Sequence, residues 1–202
     1  MRTVPRWALA SAIAAPVGLI GGWTLAATRQ PAFDPTQKTI SALAATTATD
    51  AWIMTAGLAI TGLAHLVTAA GLRPVPRAGR ALLALGGAAT LAVAALPSDV
   101  APHAHGVAAT IGFGALSLWP AFSTPRFSTP VRSPAAVNAA PAGILRPAVS
   151  LTASAVLVGL LAAFGAELAR DGDAIGLTER ALAGAQALWP LVVVVALRRS
   201  DA

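Results

Sequence analysis

The sequence predicts an all-α fold, a polytopic bundle of six transmembrane helices, and three observations support this. Only 11% of the 202 residues are charged, whereas a soluble domain averages about 25%. The mean hydropathy is +0.70. The apolar residues also cluster in six stretches, most of them near the roughly 20 residues that a helix needs to cross a bilayer. Together these features exclude an ordinary soluble globular protein.

The six apolar stretches define the predicted helices. They cover residues 7–27, 51–72, 81–96, 105–122, 148–169 and 177–197. We interpret the first as an uncleaved helix, because its apolar run exceeds the roughly 7–15 residues of a signal-peptide core; a cleaved signal peptide is the alternative. All six are assigned to a single membrane domain, 1–202.

Two connecting segments are long. Residues 123–147 are rich in Ser, Thr and Pro, a composition typical of a flexible linker, and we expect this linker on the cytoplasmic side. The polar segment 28–50 contains an apolar run at 40–45 that is too short to span a bilayer. We expect this run to lie along the membrane interface or to tuck back against the bundle.

The basic residues predict the orientation in the membrane. If the N-terminus is cytoplasmic, ten of the fourteen Lys and Arg residues fall in cytoplasmic segments: Arg2, Arg6, Arg73, Arg77, Arg80, Arg126, Arg132, Arg146, Arg198 and Arg199. An excess of Lys and Arg marks the cytoplasmic side of a membrane protein. We therefore expect a multi-pass protein of the plasma membrane with both termini cytoplasmic. The turn at 97–106 then lies on the outer face.

Several classes of function are excluded or disfavoured. The formal charge of +6 could indicate nucleic-acid binding, but that requires a basic patch on a folded surface. Here the arginines occupy short loops, so we predict no nucleic-acid partner. The chain has no cysteine, which excludes disulfides, thiolate metal sites and cysteine nucleophiles. It also lacks a Walker loop, a dinucleotide-binding glycine motif and a Gly-x-Ser-x-Gly elbow, and we predict no cofactor.

The turn at 97–106 (PSDVAPHAHG) carries the densest group of reactive side chains. Asp99 and His105 are the candidate catalytic residues, with Asp99 orienting His105 as an acid–base pair. A zinc site that also uses His103 and Glu179 is an alternative, although a His-x-His pair points both side chains the same way only on extended backbone. We predict no metal. The structural alternative is that Ser98 or Asp99 caps the fourth helix.

Four more side chains are predicted to form an outer polar pocket with this turn: Ser41, His103, Glu179 and Arg180. Glu179 stands at the start of the sixth stretch, where a carboxylate suits the helix dipole. Arg180 either reaches lipid head groups or binds a phosphate or carboxylate. His65 lies inside the second stretch, as a neutral imidazole bonded to a neighbouring helix or as a proton relay.

The tripeptide Leu-Trp-Pro occurs twice, at 118–120 and at 188–190. Proline inside a helix removes a backbone hydrogen bond and tends to kink the helix. We therefore expect the fourth and sixth helices to bend alike.

The run FDPTQKTISALAA at 33–45 resembles the first outer loop of a bacterial family, domain of unknown function 998. The segments 52–54 (WIM), 71–73 (GLR) and 176–180 (GLTER) are also similar to it, as are Pro97-Ser98-Asp99 with His105-Gly106, and Trp189-Pro190. The resemblance covers nearly the whole chain. It implies a six-helix integral membrane protein and supplies no activity.

A fainter resemblance is to membrane hydrolases of the alkaline ceramidase and adiponectin receptor kind. Their Ser, Asp and His pattern would correspond to Ser41, Asp99 and His105. Those proteins also carry paired histidines in a late helix, whereas the fifth and sixth stretches here contain no histidine. This difference argues against a zinc hydrolase.

Three hypotheses about function follow. The leading one is binding or transport of a lipid head group or small amphiphile at the outer pocket, with the lipid bilayer as the surrounding partner. The second is a membrane-embedded, hydrolase-like enzyme that uses Asp99 and His105. The third is a non-catalytic membrane scaffold, for which the sequence names no protein partner.

Overall fold

A computed structural model describes residues 3–124 and 143–200 of the chain, and in these ranges the protein is all-helical. The long helices of the described part are α1 Arg6–Thr28, α2 Trp52–Gly71, α3 Arg77–Ala95, α4 Pro102–Leu118, α5 Pro147–Arg170 and α6 Ile175–Ser200. The predicted six-helix, all-α fold class is confirmed. All but α4 have the length and apolar composition of membrane-spanning helices. Most of the predicted linker 123–147 lies outside the described residues.

Consecutive helices pack side by side from α1 to α4, and α6 packs against both α1 and α5. One end of the bundle carries residues 29–51 (loop 1) together with the turns 96–101 and 171–174, and we call it the loop-1 end. At the opposite end the Arg198 Nη1 donates a hydrogen bond to the carbonyl oxygen of Val4, at 2.7 Å. This bond joins α6 to the segment just before α1.

The contact between α2 and α3 depends on glycine. A Cβ atom on Gly62 would lie 2.7 Å from the carbonyl oxygen of Gly87, and a Cβ on Gly87 would lie 2.7 Å from the carbonyl oxygen of Gly62. A Cβ on Gly57 of α2 would likewise lie 2.6 Å from the carbonyl oxygen of Gly18 on α1. Small residues allow such close backbone approach in membrane proteins, where lipid is as apolar as the side chains. The helices α1, α2 and α3 therefore pack backbone against backbone.

The two Leu-Trp-Pro tripeptides adopt different structures, so the expectation that both helices bend alike is wrong. Helix α4 ends at Leu118, before Pro120, and a short 3₁₀ turn follows. Helix α6 instead continues through Pro190. At the end of α4 the Ser154 hydroxyl donates to the Ser117 carbonyl oxygen (2.6 Å) and accepts from the Ala121 N–H (3.3 Å). This hydroxyl binds backbone groups that a continuing helix would have paired.

The apolar run in loop 1 tucks back against the bundle. It forms a 3₁₀ turn, Ser41–Ala44, in which Leu43 and Ala44 are buried. Both belong to a hydrophobic cluster with residues of α1, α2 and α6. Burial of these side chains holds Ser41 over the interior of the bundle.

Candidate functional site

Loop 1 is fastened to the first turns of α6, mainly by Arg180. The Arg180 Nη1 donates to the carbonyl oxygens of Pro35 (2.8 Å), Lys38 (2.7 Å) and Gly176 (2.9 Å). Its guanidinium carbon lies 5.6 Å from the centre of the Phe33 ring, a cation–π distance. Arg180, predicted as a ligand contact, therefore holds loop 1 in the described structure.

Gly176 allows loop 1 to approach α6 this closely. A Cβ on Gly176 would lie 2.3 Å from the Lys38 carbonyl oxygen and 2.6 Å from that of Pro35. The Leu177 N–H also donates to the Thr36 carbonyl oxygen, at 2.9 Å. The free N–H groups of a helix start need partners outside the helix, and loop 1 supplies one of them.

Glu179 points the other way, into the bundle. The residue is 4% exposed, and its Oε2 accepts the Ile40 N–H at 2.5 Å. The salt bridges found among the described residues do not include Glu179, and the neighbouring Arg180 is bonded to carbonyl oxygens. Glu179 is therefore a buried carboxyl group without a salt-bridge partner in the described structure.

His105 and Ser41 are in direct contact. The His105 Nδ1 lies 2.7 Å from the Leu96 carbonyl oxygen, and its Nε2 lies 2.9 Å from the Ser41 hydroxyl oxygen. A carbonyl oxygen only accepts, so Nδ1 carries the hydrogen; in the neutral ring Nε2 is then the acceptor, and the Ser41 hydroxyl donates to it. The fold thus joins two residues that are 64 positions apart in the sequence.

The turn 97–106 is not extended through its histidines. His103 and His105 lie in the first turn of α4, where His103 is exposed and His105 is buried. Two residues apart on a helix, their side chains diverge. Among the described residues no three His, Asp or Glu side chains are grouped so that they could hold a metal ion.

Asp99 binds loop 1. Its carboxylate accepts the Thr46 N–H (3.1 Å) and the Thr46 hydroxyl (2.5 Å). The two ring nitrogens of His105 contact Leu96 and Ser41, so the structure does not bring Asp99 onto that ring. The capping alternative is wrong, because α4 begins after Ala101 without a side-chain cap. The acid–base role of Asp99 and His105 stays a prediction.

The Asp99 contact predicts a pH dependence. The hydrogen bonds from the side chain and backbone of Thr46 lower the pKa of Asp99 below its ordinary 3.8. A lowered folded-state pKa means that the contact stabilises the fold above pH 3.8, and that this stabilisation is lost as the pH falls toward the lowered value. We expect Asp99→Asn to lower the Tm at pH 7, and the difference from the wild type to shrink between pH 4 and pH 2. Thermal unfolding in detergent measures the two Tm values. If their difference stays constant between pH 4 and pH 2, the stabilising role given to the contact between Asp99 and Thr46 is wrong.

A cavity of about 780 Å³ lies beneath loop 1. Ser41, His105 and Glu179 line it toward the loop-1 end, and most of its wall is apolar. Val107 on α4 and Leu168 on α5 also line the cavity and are themselves 54% exposed. The cavity is therefore open on the side of α4 and α5.

Two buried polar side chains line the deep part of the cavity. His65 on α2 is 1% exposed and its ring makes no hydrogen bond among the described residues, so the predicted bond to a neighbouring helix is absent there. Gln186 on α6 donates to the Phe113 carbonyl oxygen and to the Ser117 hydroxyl, both at 2.9 Å, while its Oε1 has no partner in the same part of the chain. At a rise of about 1.5 Å per residue, Gln186 lies about 10 Å beyond Glu179.

Three of the predicted site residues thus share one cavity wall: Ser41, His105 and Glu179. His103 lines the same cavity from its exposed position. Gln186 is not among the site residues predicted from the sequence, although a single amide inside an otherwise apolar span is a usable signal, because buried polar groups need partners.

The long apolar helices are those of a multi-pass integral membrane protein. A family profile described as "Protein of unknown function (DUF998)" matches residues 12–196, and the chain belongs to this family. The resemblance seen in the sequence is thereby confirmed. Searches of curated proteins and of solved structures returned no match.

Proposed function

We propose that the protein binds a single-chain amphiphile in the cavity beneath loop 1, with the polar head at Ser41, His105 and Glu179. The observation that carries the proposal is the composition of the wall: most of it is apolar, a group of polar side chains lies where loop 1 covers it, and His65 and Gln186 add two polar groups in the deep part. Ligand pockets are typically apolar with a few placed polar groups. The function is binding, or transport, of a lipid-like molecule.

The volume of the cavity limits the ligand. About 780 Å³ falls within the roughly 300–1,000 Å³ of small-molecule pockets, which favours one acyl or alkyl chain over a two-chain phospholipid. The open side at Val107 and Leu168 gives a chain a route from the surrounding bilayer.

The residues that line the cavity also restrict the charge of the head group. Among the described residues that line the cavity there is no Lys or Arg, and Glu179 is the one carboxyl group. An anionic head group would be buried without a Lys or Arg partner, which is unfavourable. Because Arg180 is bonded to loop 1 rather than lining the cavity, we infer an uncharged, hydroxyl-bearing or cationic head and not a phosphate.

A pair of glycines on α5 provides the test. A Cβ on Gly165 or on Gly159 would meet no atom within 4 Å, and of the two only Gly165 lines the cavity. We expect Gly165→Phe to weaken binding of radiolabelled 1-O-dodecylglycerol to the protein in nanodiscs by at least about tenfold, equivalent to 1.4 kcal/mol. Gly159→Phe is the matched control and should bind like the wild type. Equal binding by both variants would contradict the proposed site.

The same assay tests the head group. We expect 1-O-dodecylglycerol 3-phosphate to bind at least about tenfold more weakly than 1-O-dodecylglycerol. In Glu179→Gln the amide oxygen can still accept the Ile40 N–H. The difference in affinity between the two ligands should be smaller in this variant. Tighter binding of the phosphate by the wild type would overturn the head-group assignment.

A further inference from the structure

We propose that Ser41 and His105 form a nucleophile–base pair that cleaves a carboxylic ester of the bound amphiphile. The proposal rests on the proposed function, because the cavity is what brings an ester to Ser41. Its own support is the contact between the Ser41 Oγ and the His105 Nε2, at 2.9 Å. A serine hydroxyl within hydrogen-bond reach of a base that a third group orients is the general signature of an activated nucleophile.

The orienting group is the Leu96 carbonyl oxygen. It accepts the Nδ1 hydrogen of His105 at 2.7 Å and so fixes the tautomer in which Nε2 faces the serine. In a Ser-His-Asp triad an aspartate holds the histidine in this way. Here the backbone does so, which explains how the pair can be arranged while Asp99 binds Thr46.

The pair is placed where a substrate could reach it. Ser41 and His105 both line the cavity; Ser41 is half-buried, while His105 is 8% exposed. Loop 1 is already fastened by the contacts of Arg180 and Asp99. The Ser41–His105 bond is therefore one of several ties between loop 1 and the helices, and its removal alone need not release the loop.

The reaction is hydrolysis of an ester in two steps. The Ser41 Oγ adds to the ester carbonyl carbon while its proton passes to the His105 Nε2; the C–O bond to the alcohol then breaks, and the alcohol leaves with that proton. Water next adds to the acyl-serine with His105 as base, and the carboxylic acid leaves, which restores the Ser41 hydroxyl. Ester and water are consumed, and acid and alcohol are formed.

Labelling with a dodecyl fluorophosphonate tests the nucleophile without an identified substrate. Attack by the serine oxygen would displace fluoride and leave an alkylphosphonyl group on the peptide that contains Ser41, detected by mass spectrometry. We expect labelling of the wild type and none of this peptide in Ser41→Ala. His105→Gln should slow labelling at least about a hundredfold, since a general base contributes about 10²–10⁴. Thr47→Ala is the control, because Thr47 is an exposed hydroxyl of loop 1 that does not line the cavity, and it should label at the wild-type rate.

Two cysteine variants test the pair even if Ser41→Ala or His105→Gln does not fold. The chain has no cysteine, so Ser41→Cys and Ser98→Cys each introduce a single thiol. A thiol beside a histidine base forms a reactive thiolate. We expect iodoacetamide at pH 6 to alkylate the Ser41→Cys protein at least about tenfold faster than the Ser98→Cys protein.

The outcomes separate this inference from the proposed function. Labelling of Ser41 that depends on His105, together with release of lauric acid from 1-lauroylglycerol, supports the pair. Binding of 1-O-dodecylglycerol with no labelling of Ser41 in folded wild-type protein overturns the pair and leaves the binding function in place. Equal alkylation of the two single-cysteine variants also overturns it.

Discussion

Gly62→Ala is expected to lower the free energy of unfolding by about 1–3 kcal/mol, the usual effect of overpacking. The added Cβ would lie 2.7 Å from the carbonyl oxygen of Gly87 and 2.9 Å from the backbone N of Leu91. Both are backbone atoms of α3, so relief requires the two helices to separate. Thermal or denaturant unfolding in detergent measures the change.

Gly114→Ala on α4 is the matched control. A Cβ there meets no atom within 4 Å, and alanine favours a helix over glycine by about 0.5–1 kcal/mol. We expect this variant to be as stable as the wild type or more stable. Destabilisation of both variants to the same extent would show that the α2–α3 contact is looser than described.

Arg180→Ala is expected to destabilise the protein by about 2–3 kcal/mol, because hydrogen bonds from a charged group are worth about 1.5–3 kcal/mol and this truncation removes the Arg180 donor from two carbonyl oxygens of loop 1. These are the carbonyl oxygens of Pro35 and Lys38. The loop should consequently become more accessible, which hydrogen exchange over residues 33–40 would record. The stability of Arg180→Lys should lie between that of Arg180→Ala and that of the wild type, since one ammonium group cannot reproduce the planar guanidinium.

Arg170→Ala provides the comparison for Arg180→Ala. Arg170 pairs with Glu167, three residues earlier on α5, and its side chain is 66% exposed. Exposed pairs contribute about 0–1 kcal/mol. If Arg170→Ala and Arg180→Ala destabilise the protein equally, the role given to Arg180 in holding loop 1 is wrong.

The helices were predictable from the sequence because they depend on local composition. The larger differences in their bounds lie beside prolines: α3 begins at Arg77, directly after Pro76, whereas α4 begins at Pro102, which suits a first turn, and ends before Pro120. The second Leu-Trp-Pro tripeptide lies inside α6. A proline alone therefore does not determine whether a helix stops, because neighbouring groups such as Ser154 decide whether the free backbone groups find partners.

The sequence predicted several residues of the site, but not which groups their side chains contact. Ser41, His105 and Glu179 were found because reactive or ionisable residues in an apolar chain are unusual. Their partners depend on where loop 1 folds, which no short-range pattern specifies. Asp99 thus binds Thr46 rather than His105, and Arg180 binds the carbonyl oxygens of loop 1 rather than lining the cavity. The cavity itself, formed by several helices and loop 1, has no signature in the sequence.

The central claim is that the cavity beneath loop 1 holds an amphiphile. Native mass spectrometry of the protein, purified in a mild detergent without added lipid, tests it most directly. We predict one bound single-chain molecule with an uncharged or cationic head, retained in Gly159→Phe and lost in Gly165→Phe. A protein that carries no such molecule, or that retains it equally in both variants, would contradict the claim.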